Sequence, residues 1–328
     1  MSICLEGIHF LVTYRCVYAC DHCFVWGGPE AEGAMTLGQI TAVIDQATEC
    51  GVETVYFEGG EPTLAFPIVL AAAEHAVRRG LEFGVVTNCF WATSVADATV
   101  WLAPFKTLGI SDLSLSSYAC FVEDANEQTL RNAVQAAREL ELPMAVLEVG
   151  APAQLDVPGL CLGDDVGEVM HKGRAAVELA PARAHRPPQQ LVTCPHEDFV
   201  SPGRAHVGCD GQLQLCQGVS AGNVFLGSDG ELGETDRSAA VTPRPGGLAA
   251  VLEGYDPTTR PVVRELLAGG PWALAQAFGH RPRRELYADE CHLCYEVRSA
   301  LRSRYPDVLT PAQCYGGAAD HKEDAHAV

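Results

Sequence analysis

Apolar runs of strand length alternate with stretches of helical period through the first half of the chain. Residues 8–13 read as a buried strand. Residues 36–50 read as a helix, with Thr36 placed to cap its start and Gly51 to stop it. A second strand follows at 54–57 and a helix at 66–79, then a third strand at 83–87 and a helix at 95–108. Strands at 113–117 and 145–149, with a helix at 127–140 between them, continue the series. Strands separated by helices of this length predict right-handed βαβ units and a parallel sheet. With a sixth strand at 166–171 the pattern gives a partial (β/α)6 TIM-like barrel, since it stops well short of the about 250 residues of an eight-fold barrel.

A Pro/Arg-rich stretch at 181–190 marks a boundary. Beyond it, apolar runs at 205–207 and 212–215 flank Asp210-Gly211, a hairpin signal. Residues 228–247 read as a surface loop, and helices are expected at 261–267, 272–278 and 294–305. The expected organisation is a barrel over 1–180, a small hairpin-plus-helix domain over 181–315 and a flexible tail over 316–328. No internal repeat is evident.

Charge narrows the function. A net charge of −20, with lysine confined to Lys106, Lys172 and Lys322, argues against a phosphate-binding face and so against nucleic acid as a partner. The chain opens with no signal-like segment and holds no apolar run of membrane-spanning length, so a cytoplasmic location and no membrane partner are expected. In that setting the 14 cysteines are metal ligands or buried thiols rather than a disulfide framework.

Cys16, Cys20 and Cys23 follow the first strand and so lie on a loop at the C-terminal rim of the sheet, where α/β barrels keep their chemistry. Thiolates converging from a short loop suit an iron–sulfur cubane, and three protein ligands leave one of four irons open. Structural zinc would want a fourth ligand, and none is local.

Cys16-Val17-Tyr18-Ala19-Cys20-Asp21-His22-Cys23 resembles the CxxxCxΦC signature of the radical S-adenosylmethionine (SAM) superfamily, with His22 in the place of the usual aromatic ring. Gly59-Gly60-Glu61-Pro62, after the second strand, resembles that family's GGEP motif, and Thr87-Asn88-Cys89 its TNG turn. The resemblance implies a 4Fe–4S cluster on the three cysteines and SAM bound by His22, Gly59, Gly60, Glu61, Pro62, Asn88, Ser114, Ser116 and Arg174. Glycine permits close backbone approach, and Glu61 is expected to accept from the SAM ammonium. His171 and Lys172 are further candidates for the SAM carboxylate, Lys172 being more simply read as a solvated charge.

The later cysteines resemble a SPASM or twitch auxiliary domain. The implied ligands of one auxiliary 4Fe–4S cluster are Cys194, Cys216, Cys291 and Cys294, with Cys209 and Cys314 as competitors, and a zinc ribbon stays open as an alternative. Cys4, Cys50, Cys120 and Cys161 read as buried packing residues. Trp91, Tyr118 and Glu148 sit at strand ends where a substrate would lie.

In such an enzyme SAM is reductively cleaved to a 5′-deoxyadenosyl radical, which takes a hydrogen atom from a substrate C–H bond. The expected substrate is a ribosomally made peptide undergoing crosslinking, dehydrogenation or epimerisation, with flavodoxin or ferredoxin as electron donor. A radical dehydrogenase or epimerase of a small natural product is the alternative, and a non-catalytic metal-binding scaffold is the alternative of another class. A molybdopterin-type cyclase is disfavoured by the missing third C-terminal cysteine spacing and Gly-Gly end. The early start of the barrel leaves no room for a fused leader-binding or cobalamin domain.

Overall fold

The computed structural model describes residues 3–117, 127–149, 169–225 and 246–316. They form two compact units: Gly7–Cys20 with Gly27–Val169, and Met1–Glu6 and Asp21–Trp26 with Met170–Val328. The chain passes from one to the other inside the three-cysteine loop.

The first unit is a parallel sheet, in the order β5-β4-β3-β2-β1. Its strands are β1 (Gly7–Thr13), β2 (Thr54–Gly59), β3 (Glu82–Thr87), β4 (Asp112–Ser116) and β5 (Met144–Leu147). They alternate with helices α1 (Leu37–Glu49), α2 (Phe66–Arg78), α3 (Val95–Leu108) and α4 (Glu127–Glu139). Thr36 closes a capping box with Gln39 that starts α1.

Register decides which side chains share a face. Phe10, Phe57, Val85 and Leu113 lie abreast and are fully buried. Phe83, on the same face, packs its ring 6.2 Å from Phe105 of α3, so this is the helix side. The next row, on the opposite face, is polar: His9, Tyr56, Gly84 and Asp112. His9 stacks on Tyr56 at 4.6 Å. A Cβ on Gly84 would stand 2.3 Å from the Tyr56 ring, so glycine lets that ring lie across β3 and bond Asp112.

The second unit holds a three-stranded antiparallel meander of β6 (Arg204–Val207), β7 (Gln212–Cys216) and β8 (Val219–Asn223). Short helices α5 (Ala175–Glu178) and α6 (Ala180–Arg183) precede it. After it come α7 (Gly247–Gly254), α8 (Pro261–Ala277) and α9 (Glu290–Leu301). Asp289 caps α9, so that helix starts one turn earlier than its apolar pattern suggests. The two helices expected at 261–267 and 272–278 run together as α8, kinked where Gly269 and Gly270 leave helical geometry before Pro271.

Other expectations are corrected. Residues 169–171 carry no strand, and 166–168 lie outside the described residues, so five parallel strands are seen where six were expected. The sheet is therefore an open, partial version of the expected barrel. β8 was not anticipated, because its small residues carry little strand signal. Cys4 is exposed and Cys50 half-buried, while Cys120 and Cys161 fall outside the described residues. So do Tyr118, most of the loop expected at 228–247 and nearly all of the expected tail. Among the described residues no helix is long and apolar enough to cross a membrane.

Candidate functional site

In the first unit the end of β2 is laid directly on the loop that carries Cys16. Gly60 N donates to Thr13 O at 2.6 Å and Glu61 N to Arg15 O at 2.9 Å. An added Cβ would stand 2.4 Å from Thr13 O at Gly59, which has φ +133°, and 2.3 Å from Arg15 O at Gly60. Both contacts are with backbone, which cannot swing away. These glycines are needed for contact with the cysteine loop.

Glu61 has a structural role of its own. Its carboxylate is fully buried and already accepts four hydrogen bonds. Oε1 takes Thr63 Oγ1 at 2.6 Å, Thr63 N at 3.1 Å and Thr87 Oγ1 at 2.8 Å. Oε2 takes Asn88 N at 2.7 Å. Burial still holds its acidity weaker than a free carboxyl, against the pull of those donors. The side chain thus clamps the end of β2 to the end of β3 and starts the 3-10 turn at Pro62, with three of its four hydrogen bonds on Oε1 and one on Oε2.

The clamp sets Asn88, which donates from Nδ2 to Cys16 Sγ at 3.4 Å. Tyr18 N donates to the same sulfur at 3.5 Å. Two N–H donors aimed at one sulfur favour its thiolate, the form that binds metal. Cys89 adopts φ +61°, the left-handed conformation that explains why a glycine stands in the resembling motif. Burial, then the neighbouring Cys20, Cys16 and Cys89 thiols, push the Tyr18 phenol pKa upward.

Ser114 donates to Asp112 at 3.1 Å and is buried, so its hydroxyl is engaged within the polar row; Ser116 is half-buried. Trp91 is buried and donates to Thr87 Oγ1 at 3.1 Å, a structural use. Glu148 follows β5 and is 6% exposed, yet neither carboxylate oxygen has a hydrogen-bond partner among the described residues.

Cys23 belongs to the second unit, where residues 171–174 hold it. Arg174 N donates to Cys23 O at 2.9 Å, and the Arg174 guanidinium lies 5.3 Å from the Trp26 ring centre. Gly173, at φ +60°, sits where a Cβ would strike the Phe24 backbone at 2.5 Å. Burial and then Arg174 lower the pKa of His22 to about 4, so at neutral pH its ring is uncharged. His171 Nδ1 and N both meet Asp289 Oδ2, at 2.9 and 3.0 Å. His171 is thus tied through Nδ1 to the cap of α9, while its Nε2 is buried without a hydrogen-bond partner among the described residues.

One cavity of this unit is lined by Cys194, Cys216, Cys291 and Cys294, together with Lys172, Glu197 and Arg298. Cys209 and Cys314 are not among its lining residues; the Cys314 thiol bonds Gln214 Oε1 at 3.3 Å. Lys172 is 3% exposed, which corrects its reading as a solvated charge. Its ammonium pairs with Glu197 at 3.2 Å. Arg298, 2% exposed, donates to Gln217 O at 3.0 Å and to Cys294.

The donor set fits an anionic metal centre. Burial, then the neighbouring Cys294 and Cys216 thiols, push Cys194 up to about 12, and burial raises Cys291 and Cys294 against the pull of Lys172 and Arg298. Lys172 and Arg298 are both held more firmly cationic than usual. Burial alone would weaken them; for Lys172 the sulfurs and Glu197 outweigh it, and for Arg298 Tyr315 and the sulfurs do. Four soft ligands around two fixed positive charges suit a bound cluster or ion that neutralises the thiolates. No spacing in the sequence pointed to Lys172, Glu197 or Arg298 as part of this cavity.

Residues 10–143 match the model of the Radical SAM superfamily. A probable GTP 3′,8-cyclase of Sulfolobus acidocaldarius is 33% identical over 60 residues, 18% of this chain and 19% of that protein. PqqA peptide cyclase of Streptomyces rochei is 30% identical over 158 residues, 46% of this chain and 40% of that protein. The matches therefore span less than half the length of these relatives. Among solved structures, anSMEcpe with bound AdoMet and Cp18Cys peptide is 10% identical with a TM-score of 0.42, over 92% of this chain and 96% of that one.

Proposed function

We propose, from the match of residues 10–143 to the Radical SAM superfamily model, that this chain is a radical SAM oxidoreductase or maturase modifying a ribosomally made peptide by crosslinking, dehydrogenation or epimerisation. Its cofactors are a 4Fe–4S cluster and SAM, which when bound supply a 5′-deoxyadenosyl radical able to take hydrogen from an unactivated C–H bond. The observation that carries the reading is the contact of Gly59 and Gly60 with the backbone of the Cys16 loop, because it joins the two motifs into one rim. The peptide as substrate rests on likeness to a relative named as a peptide cyclase, over 46% of this chain.

In this reading Cys16, Cys20 and Cys23 ligate the first cluster. Asn88 orients Cys16, and Glu61 holds Asn88 in place. The backbone of Gly59 and Gly60, with Pro62, Ser116 and Arg174, remains the set offered to SAM, with His22 as the flat ring in the cysteine loop. Cys194, Cys216, Cys291 and Cys294 hold one auxiliary 4Fe–4S cluster, and a small carrier such as flavodoxin or ferredoxin supplies the electron.

The test is anaerobic reconstitution followed by reduction with SAM present. About eight irons per chain and release of 5′-deoxyadenosine are expected. No 5′-deoxyadenosine under strong reductant sinks the enzyme reading. Product formed from a small metabolite and from no peptide transfers the proposal to small-molecule chemistry.

Glu148 enters here as a candidate substrate contact, because a buried carboxylate without a donor is costly until one arrives. Glu148→Gln removes the charge while leaving a buried polar group, and is expected to stabilise the substrate-free protein by on the order of 1 kcal/mol. Thermal melting without substrate checks this. A lower melting temperature would mean the carboxylate already has a partner.

A further inference from the structure

The four-cysteine cavity contains more charge chemistry than ligation requires. Lys172 lines it at 3% exposure and lies 5.5 Å from the Phe24 ring centre, in the segment whose Arg174 bonds the Cys23 carbonyl. Glu197 lines the same cavity and takes the Lys172 ammonium at 3.2 Å, its own side chain only 11% exposed. Arg298 supplies a second buried cation through its contact with Cys294. Buried charges in a medium of low dielectric act on one another strongly, and water screens them little.

We propose that the Lys172–Glu197 ion pair sets the reduction potential of the auxiliary centre, Lys172 favouring its reduced state and Glu197 restraining Lys172. This rests on the reading of the cavity as an iron–sulfur site. A 4Fe–4S cluster with four cysteinates is a dianion when oxidised and a trianion after taking one electron. A fixed cation beside it stabilises the trianion more than the dianion, and a fixed anion does the reverse. The two partners face one cavity, so removing either one exposes the charge of the other. A salt bridge kept only for packing would not behave this way.

The experiment uses the full chain with Cys16, Cys20 and Cys23 replaced by alanine, so that only the second centre takes up iron. Its midpoint is read by EPR-monitored titration, with dithionite as the electron source. Lys172→Met is expected to move the midpoint to more negative potential and Glu197→Gln to more positive potential. The double variant should return close to the parent, and Lys172→Arg should stay near it. Iron retained at about four per chain, with midpoints that do not move or that move in one direction, overturns the proposal alone. Loss of iron in all the single variants, Lys172→Arg included, overturns it in favour of a structural pair. Zinc or no metal in the parent overturns the iron–sulfur reading of the cavity, and the proposal falls with it.

Discussion

Replacing Cys20 by alanine is expected to bring 5′-deoxyadenosine formation down to background and to lower iron from about eight to about four per chain. The loss should exceed about a hundred-fold, because changing even an outer partner of a metal ligand costs up to that much. Cys20 is 5% exposed and Cys16 8%, and Cys16 already receives two N–H donors from Asn88 and Tyr18. The expected loss follows from the proposed role of this loop as the ligand of the first cluster. Iron analysis and quantification of 5′-deoxyadenosine by liquid chromatography measure the two effects separately. A Cys20→Ala protein that still binds eight irons and cleaves SAM would remove the three-cysteine loop from the mechanism.

The second large effect comes from a residue with no side chain to ligate metal. Gly60→Ala would place a methyl 2.3 Å from Arg15 O and 2.5 Å from Tyr14 O, so the end of β2 or the Cys16 loop must move. Relief of an overpacked backbone contact costs on the order of 3 kcal/mol, which in a unit of this size lowers the melting temperature by roughly 5–10 °C. The displaced loop should also retain its cluster poorly, so iron content and melting temperature fall together. Gly38 provides the control: it lies within α1 with nothing inside 4 Å of an added Cβ, and Gly38→Ala should be neutral or slightly stabilising. A Gly60→Ala protein matching wild type in both readouts would mean that this close approach does not exist in solution.

Much of the parallel sheet was legible because each strand and helix carries its own period. Thr36, Gly51 and Gly109 mark helix ends that local chemistry dictates, and α3 begins and ends where the pattern predicts. The failures have one cause. Whether a charged residue is solvated depends on what tertiary structure brings to it, and nothing around Lys172 in the chain announces Glu197, Cys216 or Cys291. Glu61 has a second use that the motif does not show. Its motif suggests a ligand contact, and nothing in it announces that Thr87 and Asn88, from the end of the next strand, also bond its carboxylate. Cys89 shows what a departure from a motif can preserve. The side chain differs from glycine, yet the backbone keeps the left-handed turn.

The raised acidity constants of Cys194, Cys291 and Cys294 also bear on the life of the protein before it acquires metal. Oxidation and alkylation proceed through the thiolate, and these sulfurs keep their protons at cellular pH. A newly made chain therefore carries a set of dormant thiols. In the proposed iron–sulfur reading, metal uptake displaces these protons, so loading the centre should release acid, and the thiols should tolerate a delay before it that an ordinary exposed cysteine would not survive.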